Sequence, residues 1–282
     1  MLALLAVMVV GFAGDARVEL QLARNQAEAA QARALADTGV SLAILKLLDI
    51  NTDTPWHLDG EVHLLAYGND HVRVSVQDEA GKIDLNVAPD QLVANLLRTV
   101  GVDAADAAQL ATGIADLKRQ LTGPNLGGSS GRARDTRLIS GSGPFVALEE
   151  LRGVPGMTPA LYARISPFLT IFSRRDRIDP LSAPAMVLRS LPGASAGEID
   201  TFVAARDQST GPIPGSLPPL LTVADFIAHT ALQAATITSE GTTVGGTRFT
   251  RQAVVSITNQ PNAPYSIVAW RELRDVDQQS TQ

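Results

Sequence analysis

The sequence predicts an α+β protein: a long N-terminal helix packed on an antiparallel sheet, with a large all-α insertion carried between the strands. Three observations predict it. A proline-free run rich in Ala, Leu, Gln, Glu and Arg extends from Met1 to about Leu48. Period-two apolar segments stand both early, at Val72, Val74 and Val76, and late, between Phe249 and Trp270. Between them the chain reads as short helices joined by glycine turns. The expected division is a helix over 1–48, a sheet body made of 49–82 and 208–282, and an inserted helical body over 83–207.

The first helix opens on an apolar run, Met1 to Gly14, with no charge before Asp15. Arg17, Glu19, Arg24, Glu28, Arg33 and Asp37 then stand among Leu20, Leu22, Ala27, Ala30 and Leu35. These residue types lose little side-chain freedom in a helix, so one long helix is expected, apolar at first and amphipathic afterwards. A spanning helix needs roughly 20 apolar residues, and this run is shorter. A cleaved signal peptide would carry a basic start and a break, and neither is present. The expectation is a membrane anchor that begins before Met1; the alternative is a buried core helix.

Asp49–Gly60 is a turn-rich connection. Glu61–Tyr67 and His71–Gln77, separated by Gly68-Asn69-Asp70, read as a β-hairpin lying on the long helix. Three similar units follow. The first runs from Ile83-Asp84-Leu85-Asn86-Val87-Ala88-Pro89 through a turn at Val100-Gly101-Val102. The second spans Phe145–Phe168 with Val154-Pro155-Gly156-Met157 at its turn. The third opens on Ile178-Asp179-Pro180-Leu181-Ser182-Ala183-Pro184 and turns at Leu191-Pro192-Gly193-Ala194. Each reads as a helix-hairpin-helix unit, with a glycine supplying positive φ and the Ala-Pro pairs placing proline in a first turn. Leu121–Gly143, rich in Gly and Ser, is a loop, and Gly211–Pro219 is a linker. Val223–Ile227 is a short helical or extended segment. Thr247–Thr258 is a strand with Phe249, Ala253, Val255 and Ile257 on one face; Tyr265–Trp270 pairs back on it, and Asp275–Gln282 is a polar end.

Composition and spacing exclude several chemistries. The net charge is -6, which argues against nucleic acid as a default partner. With no cysteine there is no disulfide, thiolate metal site or Cys nucleophile. Helix-hairpin-helix turns bind DNA through amides beside a basic residue. Here no basic residue follows Gly101, Gly156 or Gly193, and Asp103 would repel a phosphate. A membrane-tethered helix-hairpin-helix DNA-binding module is therefore the second reading, not the first. Gly127-Gly128-Ser129-Ser130-Gly131 matches a nucleophile elbow formally but lies in a Gly/Ser loop with one later histidine, His229. His63 and His71 could face each other across the hairpin, with His57, Asp59 and Asp70 nearby, but lack a ligand spacing. Asp84, Asp116, Asp176 and Asp179 could meet a hard cation, yet none belongs to a D-x-D-x-D loop. No catalytic residue and no cofactor site is assigned.

Gly81-Lys82-Ile83-Asp84-Leu85-Asn86-Val87-Ala88-Pro89, then Pro144-Phe145-Val146-Ala147-Leu148-Glu149-Glu150-Leu151, Val154-Pro155-Gly156-Met157-Thr158 and Leu169-Thr170-Ile171-Phe172-Ser173, follow an apolar helix and a hairpin. In that order they resemble the general secretion pathway protein K family, the largest minor pseudopilin of the type II secretion system. The resemblance implies a pilin-like, non-enzymatic subunit at the tip of the pseudopilus, serving protein secretion across the outer membrane. It implies anchoring in the bacterial inner membrane by a single-pass helix, a periplasmic soluble part, and other minor pseudopilins as partners. The family's D-W-x-D stretch, where calcium can bind, is matched at Asp116 alone, with Leu117 and Arg119 at the next two positions. The family's leader peptide has no counterpart in this sequence. In pilin-like filaments an early carboxylate neutralises a neighbour's amino terminus; none occurs here before Asp15, which suits a tip subunit, with no such partner above it.

Overall fold

Alternating valines and a stripe of small helix residues define how the two main layers meet. The computed structural model describes residues 2–49, 56–122, 143–208 and 217–273, with the side chains of residues 2–16 and Asn259 left outside that description. Helix α1 runs over Leu2–Leu48 without interruption. Strands β1 (Asp59–Tyr67) and β2 (Asp70–Asp78) form the expected hairpin, with a register shift between Asp59 and Val62. Strands β5 (Ala234–Thr242), β6 (Arg248–Gln260) and β7 (Ala263–Leu273) complete an antiparallel sheet ordered β1-β2-β5-β6-β7. Sequence reading found β6 and β7 but not β5, the central strand.

The C-terminal half of α1 covers one face of this sheet. Ala32, Leu35, Ala36, Val40, Ala43 and Ile44 are buried against Val72, Val74 and Val76 of β2, Ala235 and Ile237 of β5, and Ala253 and Val255 of β6. Each of the larger side chains contributes about 1.5–3 kcal/mol by leaving water. Side-chain ties fix the direction of α1 along the sheet. The Gln31 amide donates to Asp70 at the start of β2, and the Thr247 hydroxyl donates to Glu28. From that end β2 runs toward the C-terminal end of α1, and the chain leaves the sheet there, at Asp78.

The 155 residues between β2 and β5 therefore occupy one long connection between neighbouring antiparallel strands. Ile83–Asp84 (β3) pairs parallel with Leu169–Thr170 (β4). Around that small ladder stand α2 (Asp90–Thr99), α3 (Ala104–Thr122), a 3-10 turn (Leu148–Gly153), α4 (Pro159–Ile165), α5 (Ala185–Ser190) and α6 (Ala196–Asp207). They enclose a second core built on Ile83, Leu92, Leu96, Leu97, Phe145, Leu151, Ile165, Leu188 and Ile199. Leu220 and Val223, on the returning segment, belong to that core too.

The glycine turns fall where expected, with φ of 91° at Gly101, 88° at Gly156 and 81° at Gly193. Two details differ. The element before Gly156 is a six-residue 3-10 turn instead of an α-helix. Pro89 and Pro184 are the N-cap residues of α2 and α5, with ψ of 138° and 142°, so proline stands one position before the first turn. The extended ψ lets each proline end the preceding segment while its carbonyl starts the helix. Leu121–Gly143 lies largely outside the described residues, as does Asp275–Gln282.

Candidate assembly surface

A helix longer than its sheet leaves part of itself uncovered. Burial on α1 begins at Ala32; before it, from Arg17 to Gln31, every residue except the half-buried Glu28 is exposed. Val18, Leu20 and Leu22 are more than half exposed. Free apolar side chains on a stretch of helix tied to the sheet only near its end, through Glu28 and Gln31, mark a candidate surface for another molecule. The inserted body lies beyond the opposite end of the helix and extends along the far face of the sheet, where Arg271 of β7 pairs with Glu149 at 2.7 Å.

The insert is joined to the sheet by buried polar groups. Asp78 caps the turn at Glu79–Gly81 by accepting from the Ala80 amide at 2.9 Å. Burial pushes its carboxyl up to about 7, with Asp179 and Glu79 adding repulsion against the Ala80 hydrogen bond. Glu79, almost fully buried, accepts from Lys82 Nζ at 2.6 Å, from Thr236 of β5 at 2.7 Å, and from Thr170 of β4. Asp179 links the outgoing and returning limbs: its amide donates to Ala80 and its carboxylate accepts from Leu181 and Thr230. Arg206 on α6 donates to the carbonyls of Pro180 and Ala183.

The residues singled out in the sequence are dispersed. Asp84 is fully buried and accepts from Asn86, Ser173 and Arg174; burial raises its carboxyl above the usual value. Asp176 is exposed, and Asp179 is the linking residue just described. Asp116 is half-exposed on α3 and ion-paired with Arg119 one turn on. The segment that follows α3, residues 123–142, lies outside the described residues. Among the described residues no group of three His, Asp or Glu side chains could hold a metal ion. His63 stands opposite Val74 and His71 opposite Ala66, so the two do not face each other across the hairpin. Instead His63 stacks on Trp56 with ring centroids 4.3 Å apart. Gly127–Gly131 lies outside the described residues. At the first hairpin, the amide of Val102 donates to Leu97 and Asp103 caps α3 through Ala105, so these groups serve the fold. Neither this geometry nor any comparison supports the DNA-binding reading.

Comparison with known proteins gives two findings. Residues 73–174 match the family model described as type II secretion system (T2SS), protein K. The fold is similar to that of a chain in the crystal structure of the GspK-GspI-GspJ complex from the enterotoxigenic Escherichia coli type 2 secretion system. The identity is 16%, the similarity covers 89% of this chain and 99% of that one, and the TM-score is 0.56. No curated protein matches the chain. A long helix on an antiparallel sheet, interrupted by a helical body between β2 and β5, is the fold the two chains share. The match to protein K of type II secretion systems thus lies on the segment that runs from β2 through the first part of the insert.

Proposed function

We propose that the chain is a minor pseudopilin that forms the tip of the secretion pseudopilus and assembles with two further minor pseudopilins, on the pattern of the GspK-GspI-GspJ complex named above. One observation carries the reading: α1 projects from one end of the sheet with its apolar residues uncovered, while the bulk of the chain fills the opposite end. A subunit of that shape can be added to from the helix side and is blocked on the other. The division into a helix (1–48), a sheet body and an inserted body belongs to the same proposal, as do the helix-hairpin-helix character of the insert and the absence of catalysis.

The membrane part of the proposal rests on sequence. No helix among the described residues is long and apolar enough to cross a membrane. The uncharged stretch Met1–Gly14 at the head of α1 supports anchoring in the inner membrane, with the sheet and insert in the periplasm. Deleting residues 1–30 tests the assembly role. Because burial starts at Ala32, the shortened chain keeps its fold and loses association with the organism's own protein I and protein J pseudopilins. Undiminished association of a folded, shortened chain would overturn the proposal.

A further inference from the structure

On the sheet face that carries α1, the helix lies chiefly over β5 and β6 and leaves most of β7 uncovered. Strand register identifies what is left uncovered. Tyr265 stands opposite Ile257, Ile267 opposite Val255, Trp270 opposite Ala253 and Glu272 opposite Arg251. Because Ala253 and Val255 point at α1, so do their partners on β7. The Arg33–Glu272 ion pair, at 3.5 Å, confirms the face. Tyr265, Ile267 and Trp270 are 38%, 45% and 44% exposed, although each stands on the side where the core lies.

A β-bulge creates this strip. Val255 pairs with Ile267 and Val254 with Ala269, so Val268 is the extra residue. Strict alternation after Ile267 would have brought Ala269 to the helix face and turned Trp270 away. With the bulge, Val268 goes to the far side beside Phe172, and Trp270 joins Ile267. The indole is then held in place: the Arg251 guanidinium lies 5.0 Å from its ring centroid and is itself bonded to Asp37 of α1 at 2.8 Å. Such a fixed, half-exposed aromatic is the kind of anchor that dominates protein interfaces.

The space beside α1 has the width of one helix. Packed helices lie about 8–10 Å apart and neighbouring strands about 4.8 Å apart, so a helix alongside α1 is centred near β7. The wall of this groove is the flank of α1 that carries Arg33 and Asp37, each tied to the sheet beside it. Helical spacing puts Gln26 and Leu22 on the same line, two and three turns earlier, where the exposed helix carries that flank past the end of the sheet. The charges bordering the groove are balanced, since Arg33 pairs with Glu272 and Arg251 with Asp37. What remains to be matched is apolar.

We propose that Tyr265, Ile267 and Trp270 form the floor of a groove beside α1 that seats the long helix of a partner minor pseudopilin through an uncharged, apolar face. This rests on the assembly reading above and adds the sheet to an interface that the projecting helix begins. A partner strand added to the outer edge of β7 would leave these side chains uncovered, which is why a helix is the occupant.

The chain has no cysteine, so a single introduced thiol is unique. Ile267→Cys and, as a control on the opposite edge and far face, Leu64→Cys are compared as full chains, alone and with the protein I and protein J pseudopilins. The expected result is an at least tenfold slower maleimide reaction at position 267 in the complex and an unchanged rate at position 64. Trp270→Ala should weaken association at least tenfold with its Trp56 fluorescence transition intact. Loss of the complex on Ile267→Cys but not Leu64→Cys, in folded chains, counts for the groove. A complex that forms while position 267 reacts at its free rate would overturn the groove and leave the assembly proposal standing. No complex with the native chain would overturn both.

Discussion

Replacing Gly241 by alanine tests how closely α1 is seated on the sheet. A Cβ at this position would stand 2.4 Å from the carbonyl oxygen of Ala32, 2.7 Å from Cβ of Leu35 and 2.8 Å from the amide nitrogen of Ala36. All three atoms are helix backbone or bonded directly to it, so no side-chain rotation relieves the contact. The helix must lift by roughly 1 Å to restore ordinary carbon contacts of about 3.5 Å. Overpacking of this kind costs about 1–3 kcal/mol, and the entropy gained by replacing a strand glycine returns about 0.5–1 kcal/mol. Loosened contacts at Leu35, Val40 and Ile44 add to the loss, so the net destabilisation is about 2 kcal/mol. For a body of this size that lowers the Tm by about 4–8 °C. Both tryptophans report on the sheet: Trp56 packs on the α1–sheet core and Trp270 stands on β7. Thermal unfolding followed by tryptophan fluorescence therefore isolates the transition. Gly246→Ala, at a turn with φ of 84° and no neighbour near the new Cβ, is the reference for backbone strain alone, about 1 kcal/mol. A Gly241→Ala transition within 1 °C of the native one would refute the seating argument.

Other expectations follow from the buried polar groups. Asp78 is raised to about 7 when folded and sits near the ordinary carboxylate value when unfolded, so between those values the folded chain holds the extra proton. Stability is greatest below the unfolded value and declines as pH rises toward about 7. Asp78→Asn, which retains an acceptor for the Ala80 amide, flattens that decline, by at most about 4 kcal/mol, in urea titrations at acidic and neutral pH. Asn86 clamps Phe145 by donating to its carbonyl at 3.1 Å and accepting from its amide at 2.8 Å. Asn86→Ala should cost about 2–3 kcal/mol and speed hydrogen exchange at the Phe145 amide. Arg206→Ala leaves the carbonyls of Pro180 and Ala183 without their donor and should cost about 3 kcal/mol, seen as faster proteolysis after α6.

The elements with a strong period were legible in the sequence. Val72, Val74 and Val76 announced β2, and the long helix was read to within a residue of its C-terminal end. The central strand β5 was not, for a physical reason. Its helix-facing positions are Ala235, Ile237, Ser239 and Gly241, small residues that let α1 approach, so the apolar alternation that marks a half-buried strand is nearly absent. The two-residue pairing of β3 with β4 is too short to carry any period. The insert's polar junction with the sheet was also hidden, because Glu79 and Asp179 acquire partners only when segments 157 and 51 residues apart in sequence meet. Asp116, the one match to the acidic motif, is half-exposed on α3 and paired along its own helix. The groove floor was legible as a strand and not as a surface. Which side Trp270 faces depends on one extra residue at Val268, and a bulge shifts the alternation without leaving a mark in composition.

The most direct test of the central claim is a mass measurement on the assembled species. The full chain is mixed with the protein I and protein J pseudopilins of its own organism and examined by size-exclusion chromatography with light scattering. A pseudopilus tip subunit gives one species containing all three chains, abolished by deletion of residues 1–30. Elution of the chain alone, with the other two unaffected by its presence, would contradict the account.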